Sequence, residues 1–217
     1  MIIAERKPLA EILEMIEPHK RVLFLGCQSC VAVCLSGGEK ETHLLAEAVR
    51  LARKRDGKPI EILEDAVKRQ CDREFIEPLG KQINEVEAVL SLACGAGVQT
   101  MAELFQERPV YPAVNTKFIG MNEGFGSWSE MCLACGDCIL DLTGGICPIA
   151  RCPKSLLNGP CGGTQDGKCE VDRNKDCAWT LIYQQLKRQG KLELMKKYRP
   201  PRNHQAVIRP GRVVRWK

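Results

Sequence analysis

The sequence predicts an α/β protein: an N-terminal doubly wound parallel sheet, then a small cysteine-rich module of irregular and α-helical structure, then a basic tail. Three observations predict it. Short apolar runs alternate with helix-period segments as far as Val114, the pattern of a parallel sheet covered on both faces. Eight cysteines crowd between Cys132 and Cys177, more than packing requires. From Lys196 onward there are eight Lys or Arg and no acid, leaving 24 basic against 27 acidic residues before it. The corresponding division is 1–120 for the α/β domain, 121–195 for the cysteine-rich module and 196–217 for the tail.

In chain order, Leu9, Ile12, Leu13 and Ile16 repeat at helical spacing, and Pro8 suits the start of that helix. Arg21–Gly26 is a continuous apolar run, the mark of a strand buried on both faces. It leads directly into Cys27, Cys30 and Cys34. A long helix is predicted over Glu39–Arg55, with Leu44, Leu45, Ala48, Val49 and Ala52 on one face and Gly57 as its stop. Ile60–Leu63 is a second strand, followed by Cys71 and a helix over Asp72–Asn84 that bends at Pro78. Ala88–Ala93 is a third strand ending at Cys94, and Gly95 opens a helix to about Gln106. Val110–Val114 is a fourth strand. Residues 115–131, rich in Gly, Asn and Ser, are expected to form a linker. Beyond the cysteines, Ala178–Gln189 places Trp179, Ile182, Tyr183 and Leu186 on one helical face, ordinary core packing, and Leu192–Tyr198 is a further helical piece.

Ligands of open parallel sheets bind outside the carboxyl ends of the strands. Cys27, Cys71 and Cys94 each follow a different strand, so the fold is expected to gather thiols distant in sequence. With Cys30 and Cys34 they make five candidates for one four-thiolate site, Cys34 being equally readable as a buried hydrophobe. Thirteen cysteines, an odd number, do not form a fully paired disulfide framework, and a reducing compartment argues against disulfides altogether. Metal ligation is the better reading, since clustered thiolates repel unless a cation neutralises them.

In the second module, Cys132, Cys135 and Cys138 form a triple Cys-x2-Cys repeat, the opening of a bacterial ferredoxin run. In that run a Cys-Pro follows at once. Here it is delayed to Cys147-Pro148 and repeated at Cys152-Pro153. Cys161, Cys169 and Cys177 complete the eight. Eight thiols suit two [4Fe–4S] clusters, and the earlier five suit a third or a lone site. Zinc takes the same four-thiolate set, so zinc at one site stays open.

Other functions find little support. No apolar run has membrane-span length, and the first residues lack a signal-peptide core, so a cytoplasmic protein without a membrane association is expected. The basic charge belongs to the tail, and without an aromatic platform it does not predict nucleic-acid binding. That tail is readable either as a solvated end or as an arm on a partner, anchored by Val213, Val214 and Trp216. His19, His43 and His204 form no catalytic constellation, and no active site of its own is expected.

The block Cys152-Pro-Lys-Ser-Leu-Leu-Asn-Gly-Pro-Cys-Gly-Gly163, with Gly167-Lys-Cys169-Glu-Val171 and Asp176-Cys-Ala-Trp179, resembles the methylenetetrahydrofolate reductase carboxyl-terminal domain family. Gly26-Cys-Gln-Ser-Cys-Val-Ala-Val-Cys34 and Ala93-Cys-Gly-Ala-Gly-Val-Gln99 resemble the same proteins, and the similarity runs over about residues 20–195. They are small iron–sulfur subunits of bacterial methylenetetrahydrofolate reductases, notably in anaerobes using the reductive acetyl-CoA (Wood–Ljungdahl) pathway of one-carbon metabolism. The resemblance implies an electron-transfer role in an oxidoreductase complex. The partner would be a catalytic subunit that holds the flavin, which this chain would lack. A ferredoxin or a larger electron-bifurcating complex would supply the electrons. The competing expectation is a structural zinc or iron–sulfur docking module that stabilises the catalytic subunit without redox work.

Overall fold

The computed structural model describes residues 1–207 and 210–214. The chain divides into two compact units, Met1–Ser129 and Glu130–Lys217.

The first unit is built on a four-stranded parallel sheet. Counting from the amino terminus, β1 is Ile2–Arg6, β2 Arg21–Cys27, β3 Glu61–Val67, β4 Ala88–Ser91 and β5 Val110–Pro112. The parallel sheet has the order β3-β2-β4-β5, with Leu23 opposite both Leu63 and Val89. Every residue of β2 after Arg21 is buried, as its unbroken apolar run requires. One face packs on helices α1 (Leu9–Met15) and α3 (Glu39–Arg55): Phe24 and Leu90 meet Ile12, Leu45 and Val49. The other face, through Leu23, Leu25 and Val89, meets helices α4 (Arg73–Ile76), α5 (Gly80–Asn84) and α6 (Gly95–Leu104), which supply Ile76, Ile83 and Met101. Helices on both faces, with the chain reversing direction of travel between β2 and β4, make the sheet doubly wound.

The helix over Glu39–Arg55 has the predicted limits. The next helical segment breaks around Pro78, where a 3-10 turn, Glu77–Leu79, separates α4 from α5. The expected linker at 115–131 is instead a β-hairpin, β6 (Val114–Gly124) and β7 (Ser127–Cys132), turning at Gly124 and Gly126. Strand β6 also pairs antiparallel with β1, giving a second sheet of order β1-β6-β7. Its inward residues Ile3, Ala4 and Val114 pack with Val31, Ala93, Cys27 and Cys34, so this small sheet covers the carboxyl end of the parallel one.

The second unit has little regular structure. Helix α7 (Pro148–Arg151) starts at a Cys-Pro step, and helix α8 (Ala178–Arg188) carries the core. Trp179, Ile182 and Leu186 pack with Ile146, Leu156, Leu194 and Met195. The Trp179 indole donates to the Leu156 carbonyl at 3.0 Å. The helical piece expected at Leu192–Tyr198 is a 3-10 turn over Leu192–Lys196. In the tail, Val213 and Val214 are exposed, and Trp216 lies outside the described residues.

Candidate metal centres

All thirteen cysteines are free thiols. In the first unit, Cys27 ends β2, Cys71 follows β3, and Cys94 follows β4 as the residue capping the amino end of α6. Cys30 begins α2 (Cys30–Val33), one turn beyond Cys27. Burial pushes the Cys71 thiol above its usual range, and the negative charges of neighbouring Cys94 and Cys27 push it further. Cys71, Cys94 and Cys27 therefore lie close enough to feel one another's charge.

Two features hold these loops together. The Gln70 side chain is fully buried. Its amide nitrogen donates to the carbonyls of Leu25 (2.8 Å) and Gly26 (3.2 Å), and its oxygen accepts from the Ser91 hydroxyl (2.6 Å). One side chain thus ties the ends of β2 and β4 to the residue before Cys71. The Gly37 carbonyl accepts from the Cys27 N–H at 2.8 Å. A Cβ on Gly37 would lie 1.9 Å from the Leu92 carbonyl oxygen, so no other residue fits there without displacing β4's end.

Cys34 behaves differently. It is buried, its sulfur accepts from the Ala4 N–H at 3.4 Å, and it lies 3.2 Å from the Ser36 hydroxyl. It packs among Ile3, Val31 and Val114 as a small hydrophobe.

In the second unit, eight thiols fall into two sets. Cys132, Cys135, Cys138 and Cys147 line one cavity of about 310 Å³, with Ile139 and Ile149 in its wall. Ala134 and Gly136 both adopt positive φ, at 51° and 76°. In this left-handed turn the Ala134 N–H donates to the Cys132 sulfur at 3.3 Å. Cys147 caps the amino end of α7.

Cys152, Cys161, Cys169 and Cys177 line a second, tighter cavity of about 20 Å³. Burial would raise the Cys177 thiol, but hydrogen bonds from the Thr180 N–H and hydroxyl, the Trp179 N–H and the Thr164 hydroxyl outweigh it. The net effect is a lowered value. Cys177 caps α8, so those N–H groups are the unpaired donors of a helix start, and they favour thiolate. Across both units the sulfurs of each set stand apart: among the described residues no three thiols lie within 4.8 Å of one another.

Residues 111–205 match the family described as methylene-tetrahydrofolate reductase C terminal. The matched segment covers just under half of the chain and contains both thiol sets of the second unit. Neither the curated proteins nor the solved structures include a match to the chain.

One other group has metal-like spacing. His43, Glu47 and Glu64 are exposed and bring their ligand atoms within 4.8 Å of one another. Arg50 pairs with Glu47 at 2.5 Å and Glu64 at 2.6 Å, and His43 takes the other Glu64 oxygen at 2.9 Å. The carboxylates are already neutralised, and the group is a surface ion-pair network. No helix among the described residues is long and apolar enough to cross a membrane. Sequence reasoning missed Gln70 and Ser91. A polar residue at a strand end has no periodic signal, and only its burial reveals its role.

Proposed function

We propose that the chain is the electron-transfer iron–sulfur subunit of a methylenetetrahydrofolate reductase complex. One observation carries this reading: the eight thiols of the second unit line two cavities, four in each. Cys27, Cys71 and Cys94 neighbour one another at the ends of parallel strands, Cys30 follows one turn after Cys27 and is assigned to them as the fourth, and Cys34 is packed as a hydrophobe. The sets are Cys27, Cys30, Cys71 and Cys94; Cys132, Cys135, Cys138 and Cys147; and Cys152, Cys161, Cys169 and Cys177.

The four-thiolate sets fit the donor chemistry of an iron–sulfur cluster, and zinc takes the same ligands. Zinc binds thiolates at about 2.3 Å, which draws four sulfurs to within roughly 3.8 Å of each other. A four-iron core takes the same four thiolates, so the donor set admits either group, and the triple Cys-x2-Cys repeat at Cys132, Cys135 and Cys138 is what favours the cluster. When bound, such clusters supply one-electron exchange without protein bond-making. The chain's own residues do the holding. Cys94, Cys147 and Cys177 each stand at a helix N-cap, and at Cys177 backbone N–H groups favour the thiolate. Gln70 fixes three loops of the first set, and the left-handed turn at Ala134 shapes the second.

The family match of the second unit supports a methylenetetrahydrofolate reductase partner. The proposal places the flavin and the folate site on that partner, the complex in the cytoplasm, and a ferredoxin or a larger bifurcating complex as donor. The test is a Cys135→Ser chain co-expressed with that catalytic subunit. The expected result is loss of iron and of the rate with the physiological donor, while the flavin reaction with an artificial dye persists. A full physiological rate would contradict the proposal. Metal that does not change oxidation state under dithionite would assign a structural docking role instead.

A further inference from the structure

The start of the basic tail lies against one thiol set, and its reading rests on the cluster proposal above. After Tyr198 the chain turns back over the Cys132–Cys138 loop of its own unit. Asn158 grips Arg199 at two points: its amide donates to the Arg199 carbonyl and its oxygen accepts from the Arg199 N–H, both at 2.8 Å. The Arg199 guanidinium pairs with Asp137 at 2.8 Å, between Cys135 and Cys138. Arg202 donates to the carbonyl of Cys135 itself at 3.1 Å. Gly136, with φ of +76°, accepts the strap so closely that a Cβ there would lie 2.6 Å from the Ala206 carbonyl oxygen.

The two arginines do different things. Asp137 cancels the charge of Arg199, so that contact anchors the segment. Arg202 has no carboxylate partner among the described residues and rests on a neutral carbonyl. It delivers an uncompensated positive charge beside a candidate ligand. We infer that residues 199–207 form a strap that raises the reduction potential of the metal cluster held by Cys132, Cys135, Cys138 and Cys147, with Arg202 as the tuning charge and Asn158 as its positioning residue. Uptake of one electron adds negative charge to the site, and a fixed cation nearby favours the reduced form.

The test uses the full chain, reconstituted anaerobically, with iron and sulfide counted and each cluster signal followed by electron paramagnetic resonance in a mediated dithionite titration. The relevant signal is the one lost in Cys135→Ser. Arg202→Gln is expected to keep its iron and to show an approximately tenfold lower reduced-to-oxidised ratio at fixed potential, equivalent to about 59 mV for one electron. Arg202→Lys is expected to keep the wild-type potential. In Asn158→Ala, trypsin is expected to cut faster after Arg202 than in the wild type. An Arg202→Gln chain with full iron and an unchanged potential overturns the tuning role, and equal cleavage of Asn158→Ala overturns the strap. A wild-type chain that takes up no iron at this loop, or a signal indifferent to Cys135→Ser, sinks the cluster reading and the strap with it.

Discussion

Replacing Gln70 with Ala is the sharpest test of how the first thiol set is held. The substitution removes two donated hydrogen bonds, to Leu25 and Gly26, and one accepted from Ser91. A typical bond contributes about 1 kcal/mol net, and an orphaned buried group costs about 1–3 kcal/mol. The Leu25 carbonyl keeps the Leu92 N–H at 2.9 Å, so its loss is partial. The fully buried Ser91 hydroxyl loses its acceptor outright. The expected sum is about 3 kcal/mol, roughly a hundredfold in an opening equilibrium. Amide hydrogen exchange of β2 and β4 in the reduced, metal-free chain reads it, because opening of these strands is a local event. Ser91→Ala alone should cost less, and the double variant less than the sum of the two, since the pair shares one bond. Exchange within about 0.5 kcal/mol of wild type, or strictly additive losses, would refute the pin. Metal loading should fall only at Cys27, Cys30, Cys71 and Cys94.

Gly37→Ala should destabilise the first unit by about 3 kcal/mol or more, measured by urea unfolding, because its Cβ would meet the Leu92 backbone 1.9 Å away. Gly57→Ala, with open space around it, should cost only about 1–2 kcal/mol for its positive φ. In the metal-free chain, alkylation of Cys177 should persist to lower pH than alkylation of Cys71, by mass spectrometry. The lowered group stays thiolate as pH falls, whereas the raised one is protonated first. Cys34→Ala should leave metal content unchanged and cost about 1–2 kcal/mol through the unpaired Ala4 N–H, seen by thermal unfolding with parallel metal analysis.

Much of the first unit was legible because its signals are local. The Glu39–Arg55 helix keeps its predicted limits and buries Leu45 and Val49, although Leu44 faces out and Thr42 and Arg53 face in, and β2 is an unbroken apolar run. The convergence of Cys27, Cys71 and Cys94 followed from topology, since the ends of neighbouring parallel strands share one edge. Long-range partners were not legible. Strand β1 pairs with β6, at the far end of its unit, and its short run at the amino terminus gives no sign of that. The hairpin looked like a linker because Gly124 and Gly126 mark its turn, while the pairing that makes it sheet lies outside the local pattern. Two Cys-Pro steps left it open which one completes the Cys132–Cys138 loop. Packing puts Cys147 in that cavity and Cys152 in the other. Nor did composition show that a charged tail would return to its own thiol loop through Asn158.

If three sets of four thiols each bind an iron–sulfur cluster, iron and sulfide per chain must fall in fixed steps across single Cys→Ser variants reconstituted anaerobically. Cys71→Ser, Cys135→Ser and Cys161→Ser are each expected to lose roughly four irons, while Cys34→Ser loses none. Zinc alone in the wild type, or a loss in Cys34→Ser equal to that of the other three, would contradict the three-cluster assignment.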